Sequence, residues 1–234
     1  MNPRITKERL KNHFTYSFWK YALMLTLVAV GWNLLYTTTA YRPPKDKQLS
    51  VYIVTNALTQ ETTDWFEAQI LSLCPELEDA QVASILYSQE DYYGDMQMST
   101  YMGAGEGDIY ILPRERFDAL KESGAFRILD EAIASGAIDL NGMDVESCVG
   151  TDSEGNAGVM GIPTETLYGL LEYGIINEGM VIGVMSYAAN PEAAYAFVDW
   201  LVETMQTERP DSLDEQTPQD TQNSADTVSD MPSY

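Results

Sequence analysis

The chain has 234 residues, of which 45% are hydrophobic and 21% charged, a balance that is normal for a folded protein. Its 36 Asp and Glu side chains against 13 Lys and Arg give a net charge of −23, which argues against nucleic-acid binding because phosphate contacts need clustered cations. One His and two Cys are too few soft ligands for a zinc site of the His/Cys type, so any chemistry would rest on carboxylates, hydroxyls and aromatic rings.

The N-terminal part of the chain differs from the rest in being basic and apolar. Residues 1–48 hold eight Lys and Arg side chains against two acids, and residues 21–41 carry no formal charge. A helix of this length spans about 30 Å, the thickness of the hydrocarbon core of a bilayer. Trp19 and Tyr41 stand near its ends, where amphipathic rings favour the membrane interface. The pattern predicts a basic cytoplasmic tail at 1–20 and a transmembrane signal-anchor helix in the lipid bilayer at 21–41.

The flanking charges predict the orientation of this helix. More Lys and Arg residues precede the span than follow it, and the positive-inside rule then places the N-terminus in the cytoplasm. The C-terminal part of this single-pass protein is expected outside the cell membrane. A cleaved signal peptide is the alternative, because Thr38 and Ala40 offer small residues for cleavage. No cysteine stands near residue 40, so a lipoprotein anchor is excluded.

Two further segments flank the predicted folded domain. Residues 42–48 contain Pro43 and Pro44, which favour extended geometry, and are expected to form a short stalk. Residues 207–234 are acidic and too poor in large apolar side chains to offset the entropy of ordering, so we expect a disordered tail. One extracytoplasmic domain of residues 49–206 remains, with 27 acidic and four basic residues.

Within this domain, strand-like and helix-like periodicities alternate. Strands are predicted at residues 49–56, 81–88, 108–112 and 180–186. Helices are predicted from Thr62 or Thr63 to Leu73, and over residues 90–102, 113–124 and 190–205. This alternation is typical of a mostly parallel sheet covered on both faces. We therefore expect a single three-layer α/β domain in which the strand at 180–186 pairs with the early strands.

Three segments of the domain follow one another in a recognisable order. They are GDIYIL with the later GAFRILDEAI, then SEGNAGVMGIP, and finally MVIGVMSYAANPEAAYAFVDWLVE. Together they resemble bacterial extracellular solute-binding proteins, the type 2 periplasmic-binding-protein-like partners of ABC transporters. The resemblance extends over residues 49–205. It implies the fold of such a protein, non-catalytic binding of a solute, and a link to a transporter permease.

The chain departs from that family in its length. Family members have two α/β lobes, which close by hinge motion around a ligand held between them. Residues 142–157 and 163–179 are too short to form a second lobe of normal size. The lipobox cysteine expected in Gram-positive members is also missing. The resemblance thus implies a protein truncated to about one lobe.

A ligand site in this fold is predicted from topology. In open α/β sheets, ligands bind beyond the carboxyl ends of the strands. Those ends are Thr55, Asn56 and Ala57 after the first strand, Ser88 and Gln89 after the second, and Pro113 and Arg114 after the third. Arg114 is one of four basic residues in the domain, so it would either meet an anionic group or be an ordinary surface side chain in the first turn of a helix.

Two glycine-containing motifs are interpreted as turns. GAGEG at residues 103–107 precedes a predicted strand, whereas a dinucleotide-binding loop follows a strand and opens a helix. DSEGN at residues 152–156 lacks the glycine position and the closing acid of an EF-hand, so a polar hairpin turn is expected there. Neither motif predicts a metal site or a cofactor.

The remaining reactive side chains give no catalytic pattern. Cys74 and Cys148 would either form a disulfide in an oxidising exterior or stay as buried free thiols. His13 lies on the cytoplasmic side of the predicted anchor, which excludes a Ser/His/Asp triad outside the membrane. The many acids are interpreted as a solvated surface rather than as paired hydrolytic carboxylates. We therefore expect no enzyme activity.

Two functions compete on these grounds. The first is a membrane-anchored binding module derived from a solute-binding lobe and linked to an ABC transporter. The second is a cell-surface interaction or structural module, in which the former cleft face docks an envelope protein and no small solute binds. The two differ in whether residues 142–157 and 163–179 fold over the strand ends, because such a cover would leave room for a reduced pocket.

Overall fold

The computed structural model describes residues 7–39, 41, 43–86 and 92–208. The chain divides into two structural units, residues 1–42 and residues 43–234. From residue 209 onward, the predicted acidic tail lies outside the described residues.

The first unit contains one long helix, α1, which spans Lys7–Thr39. Its segment Phe18–Thr39 has a mean hydropathy of 1.3, and by length and composition it could cross a membrane or serve as a signal sequence. Threonine hydroxyls in this segment donate to the helix backbone, as Thr38 Oγ1 does to the carbonyl oxygen of Leu34 (2.8 Å). Because these hydroxyls are satisfied within the helix, the threonines are compatible with apolar surroundings.

The second unit is built on a five-stranded sheet. The strands of this unit, in chain order, are β1 (Gln48–Thr55), β2 (Asp79–Leu86), β3 (Ile109–Pro113), β4 (Val149–Thr151), β5 (Ala157–Val159), β6 (Gly161–Pro163) and β7 (Met180–Val184). The sheet order is β2-β1-β3-β7-β6, and β4 and β5 form a separate hairpin. β1 is parallel to β2 and β3, whereas β7 is antiparallel to β3 and β6. Four strands thus run in one direction, which confirms the predicted sheet and the return of the late strand.

The central strands are buried on both faces. Every residue of β3 and β7 is buried, as are residues 51–55 of β1. Strands in this position carry continuous apolar runs instead of alternating polar and apolar residues. This is why the sequences DIYIL and MVIGV identify β3 and β7 so clearly.

Helices cover both faces of the sheet. They are α2 (Gln60–Leu73), α3 (Tyr92–Gly103), α4 (Arg114–Lys121), α5 (Asp130–Ala134) and α6 (Pro191–Met205). α2 and α6 pack together on one face, where the Phe66 and Phe197 ring centroids lie 6.5 Å apart. α3 and α4 lie on the other face and are joined by an ion pair between Asp95 and Arg116. The predicted three-layer α/β architecture is confirmed.

One row of residues shows how the sheet accommodates α3 and α4. Tyr52, Tyr110, Gly183 and Gly161 are neighbours across β1, β3, β7 and β6. Tyr52 stacks on Tyr101 of α3, with ring centroids 4.9 Å apart. A Cβ on Gly183 would lie 2.6 Å from Phe126, whose ring packs 4.9 Å from that of Phe117 in α4. The glycines therefore make room for the Phe117 and Phe126 rings over β6 and β7, on the same face of the sheet as the two tyrosines of β1 and β3.

Two predicted helix starts are wrong by a few residues. α2 begins at Gln60 because Thr59 caps it, with its side chain accepting a hydrogen bond from the Thr62 N–H (3.2 Å). Pro113 is the last residue of β3 instead of the first helical residue, so α4 begins at Arg114. The predicted start of α6 is confirmed, since Asn190 caps the helix and Pro191 is its first residue.

Candidate functional site

The end of β1 is covered by the segment that precedes β7. Thr55 is fully buried, and its hydroxyl donates to the carbonyl oxygen of Gly174 at 3.2 Å. Asn56 and Ala57, the next two residues, are exposed. Of the three candidate ligand residues at this strand end, only these last two face solvent.

The end of β3 is covered by the other linking segment. The Arg114 guanidinium donates to the carbonyl oxygen of Ser147 (3.1 Å) and to its hydroxyl (2.9 Å). The backbone N–H of Arg114 donates to the Gly179 carbonyl (2.8 Å), and Pro113 beside it is buried. Arg114, which is half-buried, therefore fastens residues 142–157 to the sheet.

Residues 142–157 and 163–179 thus both fold over strand ends. Ser88 and Gln89, the candidates after β2, lie outside the described residues. Ligand binding at Thr55, Asn56, Ala57, Ser88, Gln89, Pro113 and Arg114 stays a prediction.

An aromatic cluster links the covering segment to α2. Tyr173 stacks on Trp65, with ring centroids 4.6 Å apart, and also lies 5.3 Å from Phe66. Trp65 and Tyr173 are half-buried, whereas Phe66 is 1% exposed. Such stacked rings hold residues 163–179 against the domain, and Tyr173 stays half-buried next to Gly174, which accepts the hydrogen bond from Thr55.

The two cysteines are buried free thiols, so the alternative of a disulfide is wrong for this structure. Cys74 lies against the carbonyl oxygen of Ala193 in α6 (3.9 Å), whereas Cys148 lies 3.5 Å from the Arg114 guanidinium. They belong to different parts of the core. Burial raises the pKa of both thiols, although Arg114 partly opposes this at Cys148.

These thiols are expected to be unreactive in the folded chain. An alkylating reagent at neutral pH should modify neither Cys74 nor Cys148, because both are buried and protonated. After unfolding without reductant, mass spectrometry should show two added groups per chain. A chain that gains none until reductant is added would instead contain a disulfide.

A tyrosine cluster lies at the other end of β3, where sequence reasoning indicated only a turn. The Glu106 carbonyl oxygen accepts hydrogen bonds from the hydroxyls of Tyr110 (2.8 Å) and Tyr187 (2.9 Å). Burial raises the pKa of Tyr187 to about 12. The GAGEG motif is therefore a turn whose backbone accepts hydrogen bonds from the hydroxyls of the buried Tyr110 and the partly exposed Tyr187, as the sequence interpretation of a turn predicts.

Asp108 joins three parts of the chain beside this cluster. Its carboxylate accepts from the N–H of Ser50 at the start of β1 (2.8 Å) and from that of Ala189 before α6 (3.3 Å). Burial raises the pKa of Asp108 above its ordinary value of 3.8, although these hydrogen bonds act in the opposite direction. In the sequence, Asp108 is recognisable as an acid that directly precedes the fully buried strand β3.

The raised pKa predicts how Asp108 affects stability. The folded state holds this proton more tightly than the unfolded chain, so the contribution of Asp108 is fully present below pH 3.8 and is lost as pH rises through the raised pKa. Urea unfolding at a series of pH values should therefore show wild type losing stability relative to Asp108→Asn as pH rises from about 4 to 7.

Asp152 provides a control of opposite sign. Its carboxylate accepts hydrogen bonds from Asn156 in the β4–β5 turn, which hold its pKa below the ordinary value. Relative to Asp152→Asn, wild type should gain stability as pH rises from below the lowered pKa to just above 3.8, so the series extends below about pH 4. From about pH 5 to 7 this difference should stay level. Parallel curves for wild type and Asp108→Asn would contradict the role of burial at Asp108.

The polar hairpin turn expected at residues 152–156 is present. Asp152 Oδ1 accepts from the N–H groups of Glu154 (2.9 Å) and Asn156 (2.8 Å), so the turn uses its acid internally. Among the residues that the structure describes, no group of three or more His, Cys, Asp and Glu side chains is placed to hold a metal ion.

Comparison with solved structures gives partial likenesses. One is to an extracellular solute-binding protein family 1 from Alicyclobacillus acidocaldarius subsp. acidocaldarius DSM 446, with 17% identity and a TM-score of 0.39, covering 53% of this chain and 29% of that one. Another is to an N-glycan transport solute binding protein from Streptococcus pneumoniae, with 17% identity and a TM-score of 0.37, covering 56% of this chain and 30% of that one. Both of those structures are of solute-binding proteins.

This chain spans less than a third of the length of those two structures. No protein-family model matches the sequence, and no curated protein matches it either.

Proposed function

We propose that this protein is a membrane-anchored, extracytoplasmic, non-catalytic binding module with a single reduced lobe. The observation that carries the proposal is the cover over the strand ends. Thr55 binds Gly174 and Arg114 binds Ser147, so the two short segments that stand in place of a second lobe close the ligand edge of the sheet. Asn56, Ala57 and the edge of Tyr173 remain as a small exposed surface there.

The non-catalytic part of the proposal rests on side-chain chemistry. Residues 43–208 contain no histidine, which excludes the base of a Ser/His/Asp or Cys/His arrangement. Burial raises the pKa of the Cys74 and Cys148 thiols, which disfavours the reactive thiolate.

A solute screen tests binding at this edge. The full chain in neutral detergent would be screened by thermal shift against sugars, oligopeptides, polyamines and divalent cations. A solute at a hundredfold excess over its Kd stabilises the folded state by about 2.7 kcal/mol. The shift should be lost in Asn56→Ala and kept in Gln81→Ala, a change at an exposed residue of β2. If no solute of the panel raises the melting temperature of the full chain, solute binding is contradicted.

The membrane side of the proposal has its own test. The apolar segment Phe18–Thr39, in which Lys20 near the start is the single charged residue, and the basic residues before it support an N-terminus in the cytoplasm. Protease added to protoplasts of a bacterial host should digest the acidic domain and spare an N-terminal tag. Loss of the N-terminal tag alone would reverse the orientation, and a soluble chain starting near residue 41 would indicate a cleaved signal.

A second candidate is a protein-interaction module, and the engagement of Arg114 favours it. The guanidinium and the Thr55 hydroxyl already have partners within the chain, so they offer little to a polar solute. The partner would be an ABC transporter permease or another envelope protein. Co-purification of one membrane protein after cross-linking, together with no thermal shift for any solute, would select this candidate over the first.

A further inference from the structure

A groove of about 370 Å³ lies along the outer side of α6. Its apolar lining consists of Leu73, Ala137, Tyr195, Ala196 and Trp200, and its acidic lining consists of Glu192, Asp199 and Glu203. We call this site the α6 groove. No candidate ligand residue at the strand ends belongs to it.

The floor of the α6 groove is apolar and held in place. The Trp200 ring stacks on Phe197 with centroids 5.7 Å apart and lies 5.7 Å from the Trp65 ring. Ala196, one turn earlier, is small, so the helix surface is lowered between Trp200 and the loop at Ala137. Leu73, at the end of α2, remains 38% exposed beside it. An apolar side chain from outside could therefore reach α6 without displacing a residue of the core.

The acids of the groove form one stripe of α6. Glu192, Asp199 and Glu203 are spaced at i, i+7 and i+11, which places them on one side of a helix. Asp199 also accepts a hydrogen bond from the backbone N–H of Asp139 (2.7 Å). Among the described residues, none of these three carboxylates forms an ion pair with Lys or Arg.

The described Lys and Arg side chains of the second unit form no ion pairs with the acids of the α6 groove. Within residues 43–208, each described Lys and Arg side chain has another partner: Lys45 with Gly105, Lys47 with Glu78, Arg114 with Ser147, Arg116 with Asp95, Lys121 with Asp118 and Arg127 with Ser186. Arg127 also forms a hydrogen bond with Tyr195 in the groove lining, but within residues 43–208 no described Lys or Arg forms an ion pair with Glu192, Asp199 or Glu203. These three acids are therefore available to pair with the cations of a partner. A partner that brings both cations and apolar side chains is complementary to it.

We propose that the α6 groove docks a basic amphipathic helix of a partner protein. Apolar side chains on one face of that helix pack between Leu73 and Trp200, and its Lys or Arg side chains pair with the acids of α6. The groove is separate from the strand ends, so this proposal stands whether or not a solute binds there.

Peptide binding to the full chain in neutral detergent tests the proposal. The probe is a fluorescein-labelled helical peptide of lysine and leucine with all leucines on one face, followed by anisotropy against protein-free micelles. A second peptide has serine in place of leucine at the same charge. The leucine peptide should bind about tenfold or more tightly than the serine peptide, since burial of its side chains adds apolar contact.

Matched variants separate the α6 groove from general electrostatics. Glu192→Gln, Asp199→Asn and Glu203→Gln combined should weaken binding of the leucine peptide about tenfold, because three cation pairs are lost. The amide oxygen introduced by Asp199→Asn keeps an acceptor for the N–H of Asp139. Neutralising the exposed acids Glu115, Glu122 and Glu154 in the same way gives the same net charge and should leave binding unchanged.

A filled groove gives an uncharged test. Ala196→Phe places a ring in the groove and should reduce peptide affinity, while an unchanged melting temperature shows that the fold is retained. The proposal is overturned if the two neutralised variants lose peptide affinity equally, or if the leucine and serine peptides bind equally well. It is also overturned if spermine displaces the leucine peptide when the two are present at equal concentrations of positive charge. These outcomes are independent of the solute screen, which monitors Asn56.

Discussion

Gly107→Ala is expected to lower the free energy of unfolding by about 2–5 kcal/mol, by combining backbone strain with overpacking. Gly107 has a φ of +83°, in the left-handed region that a Cβ disfavours. A Cβ there would also lie 2.5 Å from the Tyr52 ring and 2.7 Å from the Tyr110 ring. Both rings are buried and stack on each other 5.3 Å apart, so neither can move aside freely. Urea unfolding of wild type and variant measures the loss.

Gly105→Ala is the matched control for this prediction. Gly105 has a φ of +67°, but a Cβ there would meet nothing within 4 Å. Its substitution should therefore cost only the backbone strain, about 1–2 kcal/mol. The difference between the two variants isolates the close approach of the tyrosine rings. Equal losses would show that the rings move away from the added methyl group at no cost.

Phe66→Ala is expected to lower the free energy of unfolding by about 3–5 kcal/mol. Phe66 is 1% exposed and lies between the rings of Trp65 (5.0 Å), Tyr173 (5.3 Å) and Phe197 (6.5 Å). Its removal would leave a cavity where α2, α6 and residues 163–179 meet. Because those rings hold one another, the cavity cannot close easily. Thermal and urea unfolding should both show the loss.

Leu71→Ala is the control on the same helix. Leu71 is 39% exposed, so its truncation removes less buried surface and leaves no closed cavity. A change within about 1 kcal/mol is expected, helped by the high helix propensity of alanine. Equal losses for Phe66→Ala and Leu71→Ala would mean that the aromatic cluster does not stabilise the domain.

The parts of the fold that could be predicted are those that local sequence patterns determine. The buried strands β3 and β7 are continuous apolar runs between turn residues, and the sequence Asn190-Pro191 combines a capping side chain with a residue suited to the first helical turn. The start of α2 was misplaced because Thr59, Thr62 and Thr63 are all suitable caps, and only the observed hydrogen bond distinguishes them.

The candidate site was only partly predictable, because its state depends on contacts between distant residues. Topology identified Thr55 and Arg114 as strand ends, but not their bonds to Gly174 and Ser147, which are distant in sequence. The short strand β6 was missed for a similar reason. Its Gly161–Pro163 has no strand periodicity and pairs only because β7 lies beside it.

The position of β7 in the sheet has a consequence for the order in which the domain is made. β3 is a central strand only because β7 pairs with it, and Ile109 meets Val184 across a long stretch of chain. Until residues 180–184 have been synthesised, one side of this wholly buried strand is an open edge that invites pairing with another chain. A chain that ends before Met180 should therefore be prone to aggregate, because β3 would keep that edge unpaired.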